Sequence, residues 1–287
     1  MTGSSIEATD LSYAYGELLA VKDVSFDVVA GEILGFLGPN GAGKSTTIKM
    51  LTGQLAPQSG QARILGMDVT KDGTAIQARI GVCFEEKNLY LNMTAQENLR
   101  FFARLFGIHK PDVDGLLDRV GLADRSGDRV SSFSKGMRQR LMMARALVNQ
   151  PDVLFLDEPT DGLDPVSSQA VRRLIKKEAE RGAAVLLTTH DMHEADELSD
   201  RVAFINEGRL HAIDTPDSLK LEHGKRSVKV RLREGDDVVE QTVELDAPDA
   251  GEKLKAAVSA KGLMTIHTEE ATLENIFIQM TGRGLQE

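Results

Sequence analysis

The 287 residues predict an α/β protein with a largely parallel sheet covered by helices on both faces. Five short apolar runs carry that expectation: Ile33–Leu37, Ile80–Phe84, Val153–Leu156, Val185–Leu187 and Val202–Ile205. They are continuous rather than alternating, as strands buried on both faces are. Helical patterns lie between them, and strand–helix alternation implies a layered α/β architecture. Hydrophobic residues at 41% and charged residues at 27%, with 26 Gly and 8 Pro, fit a globular chain and exclude a disordered or collagen-like one.

The first run, Ile33–Leu37, is followed by Gly38-Pro-Asn-Gly-Ala-Gly-Lys-Ser45 and a helical pattern over Thr46–Leu51. After the second run, Thr94-Ala-Gln-Glu97 is a capping box opening a helix through Phe106, with Gly107 as its stop. The region from about Asn88 to Asn149 is mostly helical and reads as a lobe inserted between two strands of the core. Val153–Leu156 ends in Asp157-Glu158. Asp164 then caps a helix with Pro165 at its first position; Val166, Ala170, Val171, Leu174 and Ile175 share one face, and Gly182 closes it. Thr215–Ser227 is polar and weakly patterned and is expected to be a linker. Beyond it, Val228–Leu232, Val238–Leu245 and Leu263–His267 alternate as strands do, around a helix near Gly251–Ala260. The expected organisation is a larger α/β domain over 1–220, with a helical subdomain over about 88–149, and a small α+β accessory domain over 226–287.

Composition narrows the function. Lys+Arg total 34 against Asp+Glu 44, a net charge of −10. That is a poor match for general nucleic-acid binding, which rests on clustered cations, so no nucleic-acid partner is expected. A single cysteine, Cys83, excludes an intramolecular disulfide and a Cys-based zinc site, and reads as a small buried core residue. No run approaches the roughly 20 apolar residues of a membrane-spanning helix, and MTGSSIEATD lacks a basic stretch followed by an apolar one. The expectation is a cytosolic chain.

The loop Gly38–Ser45 fits G-x-x-x-x-G-K-[ST] without gaps, in the strand–loop–helix context that the motif requires. Its glycines let backbone N–H groups turn toward a β-phosphate, and the helix N-terminus adds its positive end. Lys44 suits the β- and γ-phosphates, and the Ser45 hydroxyl suits Mg²⁺. Pro39, Asn40, Gly41, Ala42, Gly43 and Thr46 complete the cradle. Asp157, at the end of a buried strand, is placed to hold Mg²⁺ through water, and Glu158 to polarise an attacking water as general base.

Ahead of that strand stands Phe133-Ser134-Lys135-Gly136-Met137, followed by Arg138-Gln139-Arg140. With these motifs in this order, the chain resembles the nucleotide-binding subunits of ATP-binding cassette (ABC) transporters over about residues 6–215. The family's commoner signature is Leu-Ser-Gly-Gly-Gln, so three of five positions differ here, while Ser134 and Gly136 are kept. The resemblance implies a phosphate-loop NTPase fold and ATP hydrolysis with Mg²⁺. It also implies a head-to-tail dimer, in which Ser134 and Gly136 meet the γ-phosphate of the ATP held by the second subunit; a homodimer would have two complete sites, and a heterodimer stays open. Tyr15 matches the aromatic residue that stacks on adenine, with edge-strand packing as the plainer alternative. Asp161-Gly162-Leu163-Asp164 matches the loop that crosses the dimer interface, and Asp164 also caps the next helix. His190 matches the switch histidine that contacts the γ-phosphate.

The family's Mg²⁺-ligating glutamine aligns with Glu85, in Val82-Cys83-Phe84-Glu85. A carboxylate keeps the ligand role as a harder anionic oxygen but donates no hydrogen bond. Finer similarity, in Gly35–Gly53, Ser134–Arg140 and Thr272-Leu-Glu-Asn-Ile-Phe277, is to the ATPase subunits of drug and sodium exporters. Those work with a separately encoded membrane permease, which implies a place at the inner face of the cell membrane. The alternatives are a soluble ABC ATPase without a transport role and a non-hydrolysing ATP sensor. The role of the C-terminal domain stays open between dimer contact and sensing.

Overall fold

The computed structural model describes residues 3–84, 88–224, 227–234, 237–260, 262–269 and 271–282. The chain divides into two compact units at Asp214/Thr215. Among the described residues, no helix is long and apolar enough to cross a membrane.

The first unit opens with β1 (Ile6–Tyr15) and β2 (Leu18–Val28), then β3 (Ile33–Leu37), α1 (Lys44–Leu51), β4 (Ser59–Ile64), β5 (Met67–Asp68), α2 (Gly73–Gln77) and β6 (Ile80–Cys83). A helical stretch follows, with α3 (Ala95–Leu105), α4 (Val113–Arg119) and α5 (Lys135–Ala146). Then come β7 (Val153–Asp157), α6 (Pro165–Glu180), β8 (Ala184–Thr189), α7 (Met192–Leu198), β9 (Arg201–Asn206) and β10 (Arg209–Asp214). The central sheet runs β10-β9-β3-β8-β7-β6. All its pairings are parallel except the β10 edge. A second sheet, β2-β1-β4-β5, is antiparallel.

The strands of the central sheet are buried on both faces because a different core lies on each side. Val153 and Phe155 of β7, with Ala184 and Leu186 of β8, face a cluster shared with α1 and the antiparallel sheet. Leu154, Leu156, Val185 and Leu187 face the opposite cluster, built with Leu99 of α3, Leu117 of α4, Leu141 of α5 and Ile175 of α6. That period-2 division of apolar side chains between two cores accounts for continuous rather than alternating hydrophobicity. Residues 95–146 thus anchor on one face of the sheet. At the head of α3 the capping box is formed: Thr94 Oγ1 accepts from Glu97 N at 3.2 Å and Glu97 Oε2 accepts from Thr94 N at 2.8 Å.

The second unit contains α8 (Pro216–His223), β11 (Ser227–Glu234), β12 (Asp237–Glu244), α9 (Ala250–Ser259), β13 (Leu263–Glu269) and α10 (Leu273–Thr281). Its sheet, β12-β11-β13, is antiparallel, and Val228, Val230 and Leu232 pack with Ala257 of α9. In place of the linker expected over 215–227, the chain forms α8 over Pro216–His223 and begins β11 at Ser227. Thr215 caps α8 by accepting from Ser218 N at 3.1 Å, Pro216 takes the first helical position, and Leu219 is buried. A capped start and two buried residues, Pro216 and Leu219, hold a two-turn helix that a longer periodicity window does not register.

Candidate active site

Register within the parallel sheet gathers the motifs at one edge. Leu37 of β3 lies level with Thr189 of β8, and Asp157 of β7 with Thr188. The residues that follow, Gly38, Glu158 and His190, therefore leave three adjacent strands together at their carboxyl ends, where open α/β sheets bind ligands.

Two glycines give the loop after β3 its shape. At Gly38 a Cβ would lie 2.1 Å from the Ile205 carbonyl oxygen of β9. Gly43 has φ +106°, and a Cβ there would lie 2.6 Å from the Ala20 carbonyl oxygen of β2. Neither position accommodates a side chain. Gly208 N donates to Ala42 O at 3.0 Å and pins the loop to the turn between β9 and β10. The result is an open cleft of about 670 Å³, including the solvent at its mouth. Tyr15, Leu18 and Ala20 line one side, Pro39–Thr46 the floor, and Glu158 the far wall. Tyr15, 46% exposed, is braced edge-to-face by Tyr13 with ring centroids 4.9 Å apart. Its ring both closes the strand edge and borders the cleft.

The charged groups meet at the head of α1. Lys44, 5% exposed, donates from Nζ to Gly38 O at 2.6 Å and lies 3.1 Å from Glu158 Oε1. Glu158 Oε2 lies 2.9 Å from His190 Nδ1. Ser45 Oγ donates to Asp157 Oδ1 at 3.1 Å, and Thr188 Oγ1 donates to the same oxygen at 2.6 Å. The structure thus brings Lys44, Ser45, Asp157, Glu158 and His190 into one continuous network. Glu158 stands in it at φ +48°. Such a conformation is strained for a residue with a Cβ, and it turns the side chain from the sheet toward the lysine and the histidine. Ser45 and Asp157 form an all-oxygen pair of the kind that Mg²⁺ takes together with water and phosphate. Among the described residues no group of three His, Cys, Asp or Glu could form an all-protein cage. Glu85 lies outside the described residues.

A second, polar cleft shares Glu158 with the first; Thr160, Asp161, Arg172, Thr189 and His190 line it as well. Asp164 stands at the head of α6, accepting from Val166 N at 3.1 Å and Ser167 N at 3.0 Å; bonding to Ser167 holds its carboxyl below the usual range. Ser134 caps α5 by accepting from Met137 N at 3.2 Å. Gly136 is buried where a Cβ would meet Ser167 Oγ at 2.6 Å. Ser134, Gly136 and Asp164 are not among the residues lining the nucleotide-sized cleft of this chain. Cys83 is fully buried, its thiol pushed up to about 12 by burial.

Sequence reasoning missed the hydroxyls that order this edge, Thr160, Thr188 and Thr189, and the buried Glu194 of α7. Thr160 Oγ1 donates to Glu194 Oε1 at 2.5 Å and Thr189 Oγ1 to Oε2 at 2.8 Å. Burial pushes the Glu194 carboxyl above its ordinary value. The only signal in the sequence is a Thr-Thr pair ahead of His190 and an acid four residues after it.

Comparison with known proteins places this geometry. The family model described as ABC transporter matches residues 21–161. The chain is 45% identical over 268 residues to the fluoroquinolones export ATP-binding protein of Mycobacterium tuberculosis, covering 93% of this chain and 89% of that protein. It is 37% identical over 308 aligned positions to the Nod factor export ATP-binding protein I of Paraburkholderia xenovorans, covering 100% of both. An ATP-binding cassette solved as a dimer in a post-hydrolysis state with ADP and phosphate superimposes with a TM-score of 0.66 at 25% identity, covering 73% of this chain and 98% of that one. A loop, a carboxylate pair and a histidine held level by strand register, in a chain this similar over nearly its whole length, lead to one conclusion: the protein belongs to the ATP-hydrolysing, ATP-binding subunits of ABC transporters.

Proposed function

We propose that this chain powers the export of small organic compounds through a separately encoded membrane permease, working as a dimer bound to the inner face of the cell membrane. The observation that carries the chemical part is the network Lys44–Glu158–His190 at one sheet edge. Lys44 binds the β- and γ-phosphates in place of its contact with Glu158. Glu158 takes a proton from water as the water oxygen attacks the γ-phosphorus. The bond to the β–γ bridging oxygen breaks, and ADP and phosphate leave. His190 holds Glu158 in line and faces the γ-phosphate. Ser45 and Asp157, with Glu85, would hold Mg²⁺, which neutralises phosphate charge when bound. Catalysis is then mainly positioning and electrostatic stabilisation. Tyr15 stacks on adenine, whose π-face suits an aromatic ring without base-specific readout.

Ser134 and Gly136 at the head of α5, with Asp164, serve the ATP of the second subunit. Their place outside this chain's own cleft supports that reading. A permease contact is supported by the segment ahead of α3, where Tyr90 packs on Phe101 of that helix at 4.8 Å between centroids and stays 46% exposed beside the equally exposed Leu91. Exposed apolar surface of that kind suits a protein partner. Export as the direction is supported by the finer sequence similarity to exporter subunits and by the likeness to the fluoroquinolones and Nod factor export ATP-binding proteins. A strain lacking the chain should accumulate more fluorescent quinolone-type or peptide antibiotics, and the wild-type chain should reverse this while Glu158→Gln should not. Unchanged accumulation across such a panel would contradict export.

A further inference from the structure

Glu194 has a place in the site that none of the motifs assigns. It lies on α7, four residues beyond His190, with 1% of its surface exposed. Among the described residues no cation pairs with it; Arg172 acts on it only through space, and Asp191 opposes its charge. A carboxylate buried without an ion-pair partner is costly unless its oxygens are hydrogen-bonded. Here both are: Thr160 donates to one at 2.5 Å and Thr189 to the other at 2.8 Å. Thr189 Oγ1 also accepts from Asp191 N at 3.0 Å, which leaves its hydrogen for Glu194. The bonding at Thr189 therefore calls for an acceptor at Oε2.

What the two threonines adjoin gives the bridge its meaning. Thr160 stands two residues after Glu158, at the start of the turn toward Asp161, and Thr189 immediately precedes His190. Each is tied to a different strand, β7 and β8, and Glu194 ties them to each other. We infer that Glu194 is a positioning residue for hydrolysis, which sets the spacing and orientation of Glu158 and His190 by bridging Thr160 to Thr189. The inference rests on the roles proposed for Glu158 and His190. Both side chains are themselves in contact at 2.9 Å, so a shift of either backbone segment changes the geometry of the attacking water.

The test uses the 287-residue chain and five variants: Glu194→Gln, Thr160→Val, Thr160→Ser, the Glu194→Gln/Thr160→Val double and, as reference, Glu158→Gln. The amide introduced by Glu194→Gln keeps the shape of the side chain but replaces one of its two acceptor oxygens with a donor. Turnover should fall about ten- to a hundredfold in Glu194→Gln, the scale of a misplacement near 1 Å. Binding of a fluorescent ATP analogue should stay within about twofold, because Glu194 touches neither Lys44 nor the loop. Thr160→Val should reproduce the loss, Thr160→Ser should restore wild-type turnover, and the Glu194→Gln/Thr160→Val double variant should be no slower than the slower single. Wild-type kcat in Glu194→Gln would overturn the inference, as would losses of kcat, nucleotide affinity and melting temperature that move in parallel. If Glu158→Gln is inactive while Glu194→Gln is normal, only the bridge fails. If Glu158→Gln turns over normally, the assignment of the base fails, and the bridge with it.

Discussion

Replacing Glu158 with glutamine removes one negative charge from the centre of the network while keeping the size of the side chain. The wild-type carboxylate is placed for both of its jobs, with Oε1 3.1 Å from the Lys44 ammonium and Oε2 2.9 Å from His190 Nδ1. A positioned general base contributes about 10²–10⁴-fold to rate. At about 1.36 kcal/mol per decade, Glu158→Gln should raise the barrier by about 2.7–5.4 kcal/mol. Nucleotide binding should move the other way or not at all. Lys44 loses its competing anion and keeps its hydrogen bond to Gly38 O at 2.6 Å, so phosphates meet a better-exposed ammonium. Phosphate release at saturating ATP reads the first quantity, and equilibrium titration with a fluorescent ATP analogue reads the second. The backbone supplies an internal control. Glutamine retains the strained φ of +48° whereas glycine relieves it, so Glu158→Gly should be more stable than Glu158→Gln by about 1 kcal/mol and equally inactive. Phosphate release by Glu158→Gln within about threefold of wild type would refute the assignment of the base.

Three further outcomes follow from the same geometry. Gly43→Ala should lose nucleotide binding and about 1–3 kcal/mol of stability, read by thermal melting, because φ +106° and the Ala20 carbonyl at 2.6 Å leave no room for a methyl group. Glu194 carries a pH dependence. Burial raises its carboxyl above 4.5, so the folded chain holds that proton more tightly than the unfolded one. Its contribution to stability is greatest below 4.5 and declines as pH rises through the folded-state value. The stability difference between wild type and Glu194→Gln, from denaturant midpoints, should therefore shift toward the variant as pH increases. Glu85→Gln should alter the Mg²⁺ concentration needed for half-maximal turnover, as expected when a carboxylate ligand is exchanged for an amide; an unchanged Mg²⁺ titration and rate would remove Glu85 from the ligand set.

Much of the site is legible because its chemistry is contiguous in sequence. Lys44 and Ser45 sit at fixed positions in an eight-residue motif, and Asp157-Glu158 end a strand whose burial is plain from its residues. The central strands are legible for a related reason. Two cores, one on each face, leave no polar face to interrupt Phe155, Leu186 and their neighbours. The antiparallel sheet of β1 and β2 does not stand out as strands. Its pairing shifts register between Ala8 and Leu11 and again between Leu11 and Tyr13, with Asp10 and Asp23 at positive φ. Each shift breaks the period-2 pattern on which strand recognition depends. The bridge of Thr160 and Thr189 through Glu194 is illegible for another reason. Its members come from two strand ends and a helix, and only the register of β7 against β8 brings them together. The helix α8 reads as a linker because a short, mostly exposed helix is marked chiefly by its cap, Thr215-Pro216.

Membrane partnership can be measured in the cell of origin. Tagging this chain, solubilising the membranes gently and quantifying what co-purifies should recover a polytopic membrane protein in stoichiometric amount, with two copies of the chain per complex. Recovery from the soluble fraction alone, with ribosomes, with nucleic acid or with no partner, would contradict the transporter role.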